Sequence, residues 1–196
     1  MELAHIDYFL ALQSPYVYLA GTRPAEIAAR HGATVVYKPL DAAQLFPRTG
    51  GKVRAERHPS RNEYSAQDRA RQARKLGLPF DPQPMFAASN PAPAAYAVIA
   101  AQAAGGGDLA GLVVALSRAM WAEGRDISDD EVIRAALVAH LAGDGAAVGD
   151  AQRGLEALGQ ALLHVGPHLE AVDHHVDVVL FGFLQGRQVF KRDRLA

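Results

Sequence analysis

Cysteine is absent from all 196 residues of the chain. A disulfide framework, a thiolate metal site and a cysteine nucleophile are therefore excluded. The chain also lacks an excess of either charge, with 20 Lys and Arg against 21 Asp and Glu and a formal net charge of −1. No global field marks nucleic acid or an anionic membrane as the partner, so a small molecule is expected. No apolar run reaches the length of a membrane span, and the N-terminus has no basic, apolar, small-residue signal. The expected location is the cytoplasm. Tryptophan is limited to Trp121. What the chain does have is hydrophobic character, 49% of residues. That is enough to bury one sizeable domain, or one domain with a large insertion.

The stretch LQSPYVYLAG, 12–21, reads as the end of a strand running into a helix. A strand is expected over 5–12, around Ile6, Tyr8, Phe9 and Leu10. Ser14 followed by Pro15 is good helix-start chemistry, with serine as N-cap and proline as the first helical residue. The helix is expected over 15–31, ending in Arg30-His31 before Gly32. ATVVYKPL, 33–40, is short and β-branched, a second strand. Strand, helix and strand joined this closely make a βαβ unit with parallel strands.

Beyond Asp41 the text changes. Residues 46–64, FPRTGGKVRAERHPSRNEY, are basic and rich in Gly and Pro, and read as loop. A helix is expected over 65–76, before Gly77 and Pro79. Residues 79–93 hold five prolines and exclude regular helix or central strand. An alanine-rich helix follows over 94–104, and Asp108 caps another that reaches Trp121. The next helix start carries a capping box, Ser128 with Glu131, and a staple of Ile127 with Val132. Strand-like text returns in VDVVLFGFL, 176–184, with a turn at 185–187 and a pairing strand from Gln188. The whole pattern predicts an α/β chain, a thioredoxin-like fold with a large inserted helical domain. Residues 1–43 and 166–196 would form the thioredoxin-like domain and 44–165 the insertion.

Five stretches carry a more specific likeness. They are SPYVYLAG at the first helix, LDAAQLFPRTGGKVRAERHPSRNEY after the second strand, LGLPF with FAASNPAPAAYAVIAAQ, MWAEGRDISDDEVI, and the terminal DRL. In this order and spacing they resemble the glutathione-dependent 2-hydroxychromene-2-carboxylate isomerases. These are DsbA-like proteins related to the kappa-class glutathione transferases. The resemblance covers residues 4 to about 141 and a few at the end. It implies glutathione as cofactor and isomerisation of an aromatic catabolite. The implied partner is a small aromatic substrate, with a homodimer left open. Kappa-type glutathione transfer needs the same activated thiol and stays an alternative. So does a non-catalytic relative that has lost glutathione.

The resemblance also assigns residues. Ser14 stands where related redox enzymes carry Cys-x-x-Cys. A hydroxyl cannot run thiol–disulfide exchange, but it can donate a hydrogen bond to a thiolate and keep it nucleophilic. The alternative is that Ser14 is only a cap. Asp193 and Arg194 match the pair that holds the γ-glutamyl end of glutathione, carboxylate to ammonium and guanidinium to carboxylate. The alternative is a solvated basic tail. Asn90 falls where the substrate pocket is lined, or else marks an Asn-Pro turn. Arg54, Arg57, His58 and Arg61 form a basic loop able to meet a substrate carboxylate, with Arg54 and Arg61 the chosen contacts, or else an ordinary solvated loop. Trp121 is expected in the core.

The C-terminal part departs from the family. Its G-V-F-G-x-P stretch has no counterpart, since no proline follows Pro167. Counting back from DRL puts Leu180 at the proline position, with Phe181 beside it, where glutathione's cysteinyl part would bind. Aligning LFG with VFG puts Leu184 there instead. Residues 143–188 resemble the family poorly, and the register returns at DRL, as a pair of compensating frameshifts would leave it. An uninterrupted reading frame in resequenced DNA would remove that alternative. The segment also holds His164, His168, His174 and His175, with Asp173. The i,i+4 spacing of the first two is interrupted by Gly166-Pro167, so no metal site is expected.

Overall fold

The structure, a computed structural model, describes residues 4–105 and 107–141. Strand β1 (His5–Leu10) pairs in parallel with β2 (Thr34–Pro39), as a βαβ unit requires. Tyr8 lies opposite Tyr37 in the register, and their rings meet edge to face with centroids 6.0 Å apart. Burial pushes the Tyr37 hydroxyl up to about 12, helped by the Asp108 charge, and also raises that of Tyr8. Leu12 has left the ladder but remains buried.

The helix expected over 15–31 is two helices, α1 (Pro15–Ala20) and α2 (Arg23–Arg30), separated at Gly21 with φ 59°. Pro24 is the physical reason. Inside one continuous helix it would lack a donor and clash with the Ala20 carbonyl. As the second residue of α2 it does neither. Arg23 then covers the carbonyls left at the end of α1. Its Nε donates to Ala20 O at 3.0 Å, and its guanidinium also reaches Leu19 O.

After β2 the described chain is helical: α3 (Ala42–Arg48), a 3-10 turn (Arg54–Glu56), α4 (Pro59–Leu76), α5 (Ala92–Ala104), α6 (Leu109–Trp121) and α7 (Asp130–Leu141). The loop expected over 46–64 thus contains the end of α3, a turn and the start of α4. Its polar composition reflects exposed helix faces rather than absence of helix. Pro59 opens α4, and the His58 ring accepts from the Ser60 amide at 3.3 Å.

The capping box at Ser128 does not form. The Ser128 hydroxyl donates to Asp126 at 2.8 Å, and Asp129 instead accepts from the Glu131 amide at 2.8 Å. An ionised carboxylate on each side outcompetes the serine oxygen. The staple residues Ile127 and Val132 are both buried in one cluster.

That cluster joins the sheet to the helical layer. Leu10, Leu12 and Tyr18 from the sheet side meet Val98, Leu112, Leu116, Met120 and Leu137. Trp121 is core, stacked on Phe80 with centroids 5.5 Å apart and planes 11° from parallel. The outer edge of β2 is closed by a side chain. Gln102 on α5 accepts from the Tyr37 amide at 2.8 Å and donates to its carbonyl at 3.2 Å. The amide group stands in for a neighbouring strand and blocks edge pairing. Among the described residues, no helix is long and apolar enough to cross a membrane. The strands expected from 176 onward, the histidine-rich segment and the boundary at 165 lie outside the described residues.

Candidate functional site

The loop between β1 and α1 places Ser14 at the N-cap of a helix, with φ −76° and ψ 122°. Its carbonyl accepts from Val17 at 3.0 Å. Its hydroxyl makes no capping hydrogen bond to the amides of the first turn, although Pro15 at the first helical position leaves the amides of the next two residues as possible donors. Ser14 is half-buried. The side chain does not cap α1, and among the described residues the hydroxyl has no hydrogen-bond partner.

Gln13, the preceding residue, ties this loop to the proline-rich crossover. Its side-chain amide donates to the Ser89 carbonyl. The Ser89 hydroxyl donates to Asp126, which also accepts from the amide and hydroxyl of Ser128, both at 2.8 Å. These bonds, Ser89's first and then Ser128's, hold the Asp126 carboxyl below the usual carboxylate range. A chain of hydrogen bonds thus runs from beside Ser14, through the crossover, to the head of α7. Asn90 follows Ser89. It is exposed, and its Oδ1 accepts from Ala92 at 3.1 Å, the Asn-Pro turn reading realised. Among the described residues its amide nitrogen has no acceptor.

On the other side, Tyr16 donates to Asp68 on α4 at 3.1 Å. Arg71 first and Tyr16 second lower the Asp68 pKa. Burial, and then Asp68, raise that of Tyr16. The basic loop divides in two. Arg57 bonds the Lys52 carbonyl at 2.8 Å and lies over Phe46, and His58 starts α4, so both are structural. Arg54 and Arg61 are exposed, and the charge of Arg61 acts on the Tyr16 hydroxyl. Arg61 bonds Ser65 Oγ at 2.9 Å. Beside Tyr16 a cleft of about 220 Å³ opens, lined by Arg23, Asp68 and Gln72 among others. Ser14 does not line it, and it is smaller than the roughly 300–1,000 Å³ of ordinary ligand pockets.

Of the expected site residues, Ser14 and Asn90 each adjoin one end of the Gln13–Ser89 hydrogen bond. The structure places Arg61 around Tyr16. Leu180, Phe181, Asp193 and Arg194 lie outside the described residues. Three residues went unread in the sequence. Gln13 and Asp126 act across long sequence separations, which no local pattern signals. Arg69, 8% exposed, is different. It sits on the α4 stripe of Ala66, Ala73 and Leu76, where a cation on an apolar face is itself a signal. Among the described residues no group of His, Asp and Glu gathers as a metal site.

A family model described as a DSBA-like thioredoxin domain matches residues 5–156. No curated protein matches the chain. Among solved structures, a 2-hydroxychromene-2-carboxylate isomerase superposes with a TM-score of 0.58 at 22% identity, over 80% of this chain and 74% of that one. The cytosolic disulfide reductase DsbM from Pseudomonas aeruginosa gives 0.46 at 23% identity, over 80% of each chain. Its structure with GSH gives 0.47 at 22% identity, over 81% of this chain and 79% of that one. The shared feature is the fold, thioredoxin-like and DsbA-like, with the inserted helical region seen here from α3 onward.

Proposed function

Since the chain belongs to the DSBA-like thioredoxin domain family, we propose that it is a glutathione-dependent isomerase of 2-hydroxychromene-2-carboxylate or a similar aromatic catabolite. The observation that carries this reading is the unengaged Ser14 hydroxyl at the head of α1. The junction fits the thiol end of glutathione. A hydroxyl with no partner among the described residues can donate to sulfur at no cost to the helix start. When bound, glutathione supplies a reversible thiolate nucleophile at neutral pH.

The chain's own residues do the rest. Ser14 donates to the sulfur and favours its ionised form. Tyr16 and the α4 side chains wall the site on one side, and the crossover held by Gln13 walls it on the other. Arg54, Arg61 and the amide nitrogen of Asn90 face the substrate's polar groups. Asp193 and Arg194 hold the tripeptide's γ-glutamyl end, and the segment of Leu180 and Phe181 meets its cysteinyl part. In this reading 1–43 with 166–196 binds glutathione, 44–165 shapes the aromatic pocket, and the protein acts in the cytoplasm.

Isothermal titration with glutathione, followed by the absorbance change of 2-hydroxychromene-2-carboxylate, tests the proposal. The expected result is saturable binding and glutathione-dependent isomerisation. No heat at millimolar glutathione, or isomerisation equal without it, overturns the proposal in favour of a non-catalytic relative.

A further inference from the structure

Among the described residues the Ser14 side chain bonds nothing, so the backbone decides where its hydroxyl stands. On the helix side the Ser14 carbonyl accepts from Val17 at 3.0 Å and from Tyr18 at 3.4 Å. On the strand side its amide donates to the Ala11 carbonyl at 2.8 Å and closes a turn over 11–14. One bond at the base leaves such a turn free to tilt, and its two corner residues decide the angle. Leu12 is buried and anchors one corner in the core. Gln13 anchors the other by a polar bond. Its side-chain amide donates to the Ser89 carbonyl, 76 positions on.

The acceptor is itself held. The Ser89 amide donates to the Phe86 carbonyl at 3.0 Å, and the Ser89 hydroxyl donates to Asp126 at the head of α7. A carbonyl accepts only from a donor, so the bond also fixes which end of the Gln13 amide faces it. The other end of the same crossover is tied to α1. There the Tyr18 hydroxyl donates to the Pro79 carbonyl at 2.7 Å. Both ties are partly buried side-chain bonds to a carbonyl, so each is worth a similar amount to the fold. They differ in what they hold. Tyr18 lies inside α1, beyond the turn, whereas Gln13 is a corner of the turn that carries Ser14.

We propose that Gln13 is a positioning residue: its bond to the Ser89 carbonyl sets the tilt of the 11–14 turn and holds the Ser14 hydroxyl where a bound sulfur meets it. The inference rests on the isomerase reading only for what the hydroxyl meets. A displacement of about 1 Å at a reacting group can cost on the order of 100-fold in rate. Removing the Gln13 bond leaves the Leu12 anchor in place, so the expected loss is smaller, about tenfold.

The test reads the thiolate of bound glutathione by its ultraviolet absorbance across pH, beside turnover and hydrogen exchange at the Ser14 amide. Gln13→Met keeps the length of the side chain and removes the donor. It should cut the thiolate fraction at neutral pH severalfold and kcat by about tenfold, with KM for the aromatic substrate unchanged. Exchange at the Ser14 amide should quicken. Ser89→Ala, which releases the acceptor from Asp126, should move the same readings the same way but less. It decides if circular dichroism shows that Gln13→Met does not fold. Tyr18→Phe is the control. It should lower the urea midpoint, yet leave the thiolate fraction and the Ser14 exchange rate at their wild-type values. Wild-type readings in Gln13→Met, or in Ser89→Ala where that variant decides, overturn the proposal. So does a Tyr18→Phe variant that shifts them as far, since general loosening would then explain both. A wild type that does not isomerise breaks the isomerase reading. The thiolate fraction, or the Ser14 exchange rate where glutathione does not bind, then decides whether Gln13 positions Ser14.

Discussion

The heads of α3 and α6 and the head of α1 carry residues of the same capping type and use them differently. Asp41 accepts from Ala43 at 2.8 Å and Gln44 at 3.2 Å, and Asp108 accepts from Gly111 at 2.8 Å. Each satisfies amides that the first turn leaves without partners. Ser14 occupies the same position in extended backbone, and its side chain caps no amide. Helix α1 is held by other means: Val17, Tyr18 and Leu19 are buried, and the Tyr18 hydroxyl donates to the Pro79 carbonyl at 2.7 Å. The difference separates side chains that build the fold from one that the fold does not need. A residue suited to capping, placed at a helix start and left free there, is a residue available for chemistry.

The largest expected effect breaks or confirms that distinction directly. Ser14→Ala should lower glutathione-dependent turnover by about 10- to 1000-fold, the range for removing one preorganised donor. Its stability in urea should stay within about 0.5 kcal/mol of wild type, because no capping bond is lost. A clear loss of stability with an unchanged rate would make Ser14 a cap after all.

Asp108→Ala is the converse and the next largest effect. It should cost about 1 kcal/mol, the typical worth of an N-cap, and leave turnover per folded molecule unchanged. Urea midpoints beside initial rates give both readouts. A fall in rate without a fall in stability would erase the contrast between the two helix starts.

The same contrast explains which parts of the molecule were legible in the sequence. The βαβ unit, the Asp108 cap and the burial of Trp121 each rest on a few adjacent residues, and each forms. The break at Gly21 was legible too, through Pro24, but the periodicity across it hid the interruption. Helix α4 was hidden by composition, since its first turns expose polar side chains. The capping box at Ser128 had the right residues and lost to Asp126 and Asp129, better acceptors two places back and one place on. Gln13 with Ser89 and Gln102 with Tyr37 join residues 76 and 65 positions apart. No local window contains such a pair. At the candidate site, residue types alone left Ser14 between cap and ligand. Only the geometry of the first turn decides that its hydroxyl does not cap.

The smallest expected effect concerns Asp126, the most heavily engaged of these polar side chains. Bonds from Ser89 and Ser128 hold its folded-state pKa below the unfolded value of about 4. A group shifted in this direction stabilises the fold above its unfolded pKa. That contribution is lost as pH falls through the folded value. Asp126→Asn keeps an acceptor oxygen but removes the titration. At pH 7 the variant should be slightly less stable, because charge-assisted bonds become neutral ones. As pH drops below about 4, wild type should lose that advantage, and the two stability curves should converge. Urea midpoints for both proteins at steps from about pH 7 to pH 3 give the curves. Because Asp126 anchors Ser89, and Ser89 holds Gln13 beside Ser14, glutathione affinity should weaken in parallel over the same acid range in wild type. Curves that stay parallel to pH 3 would mean that the Ser89–Asp126 bond contributes no linkage. The crossover would then be positioned by packing alone, and Asp126 would no longer belong with Asp41 and Asp108.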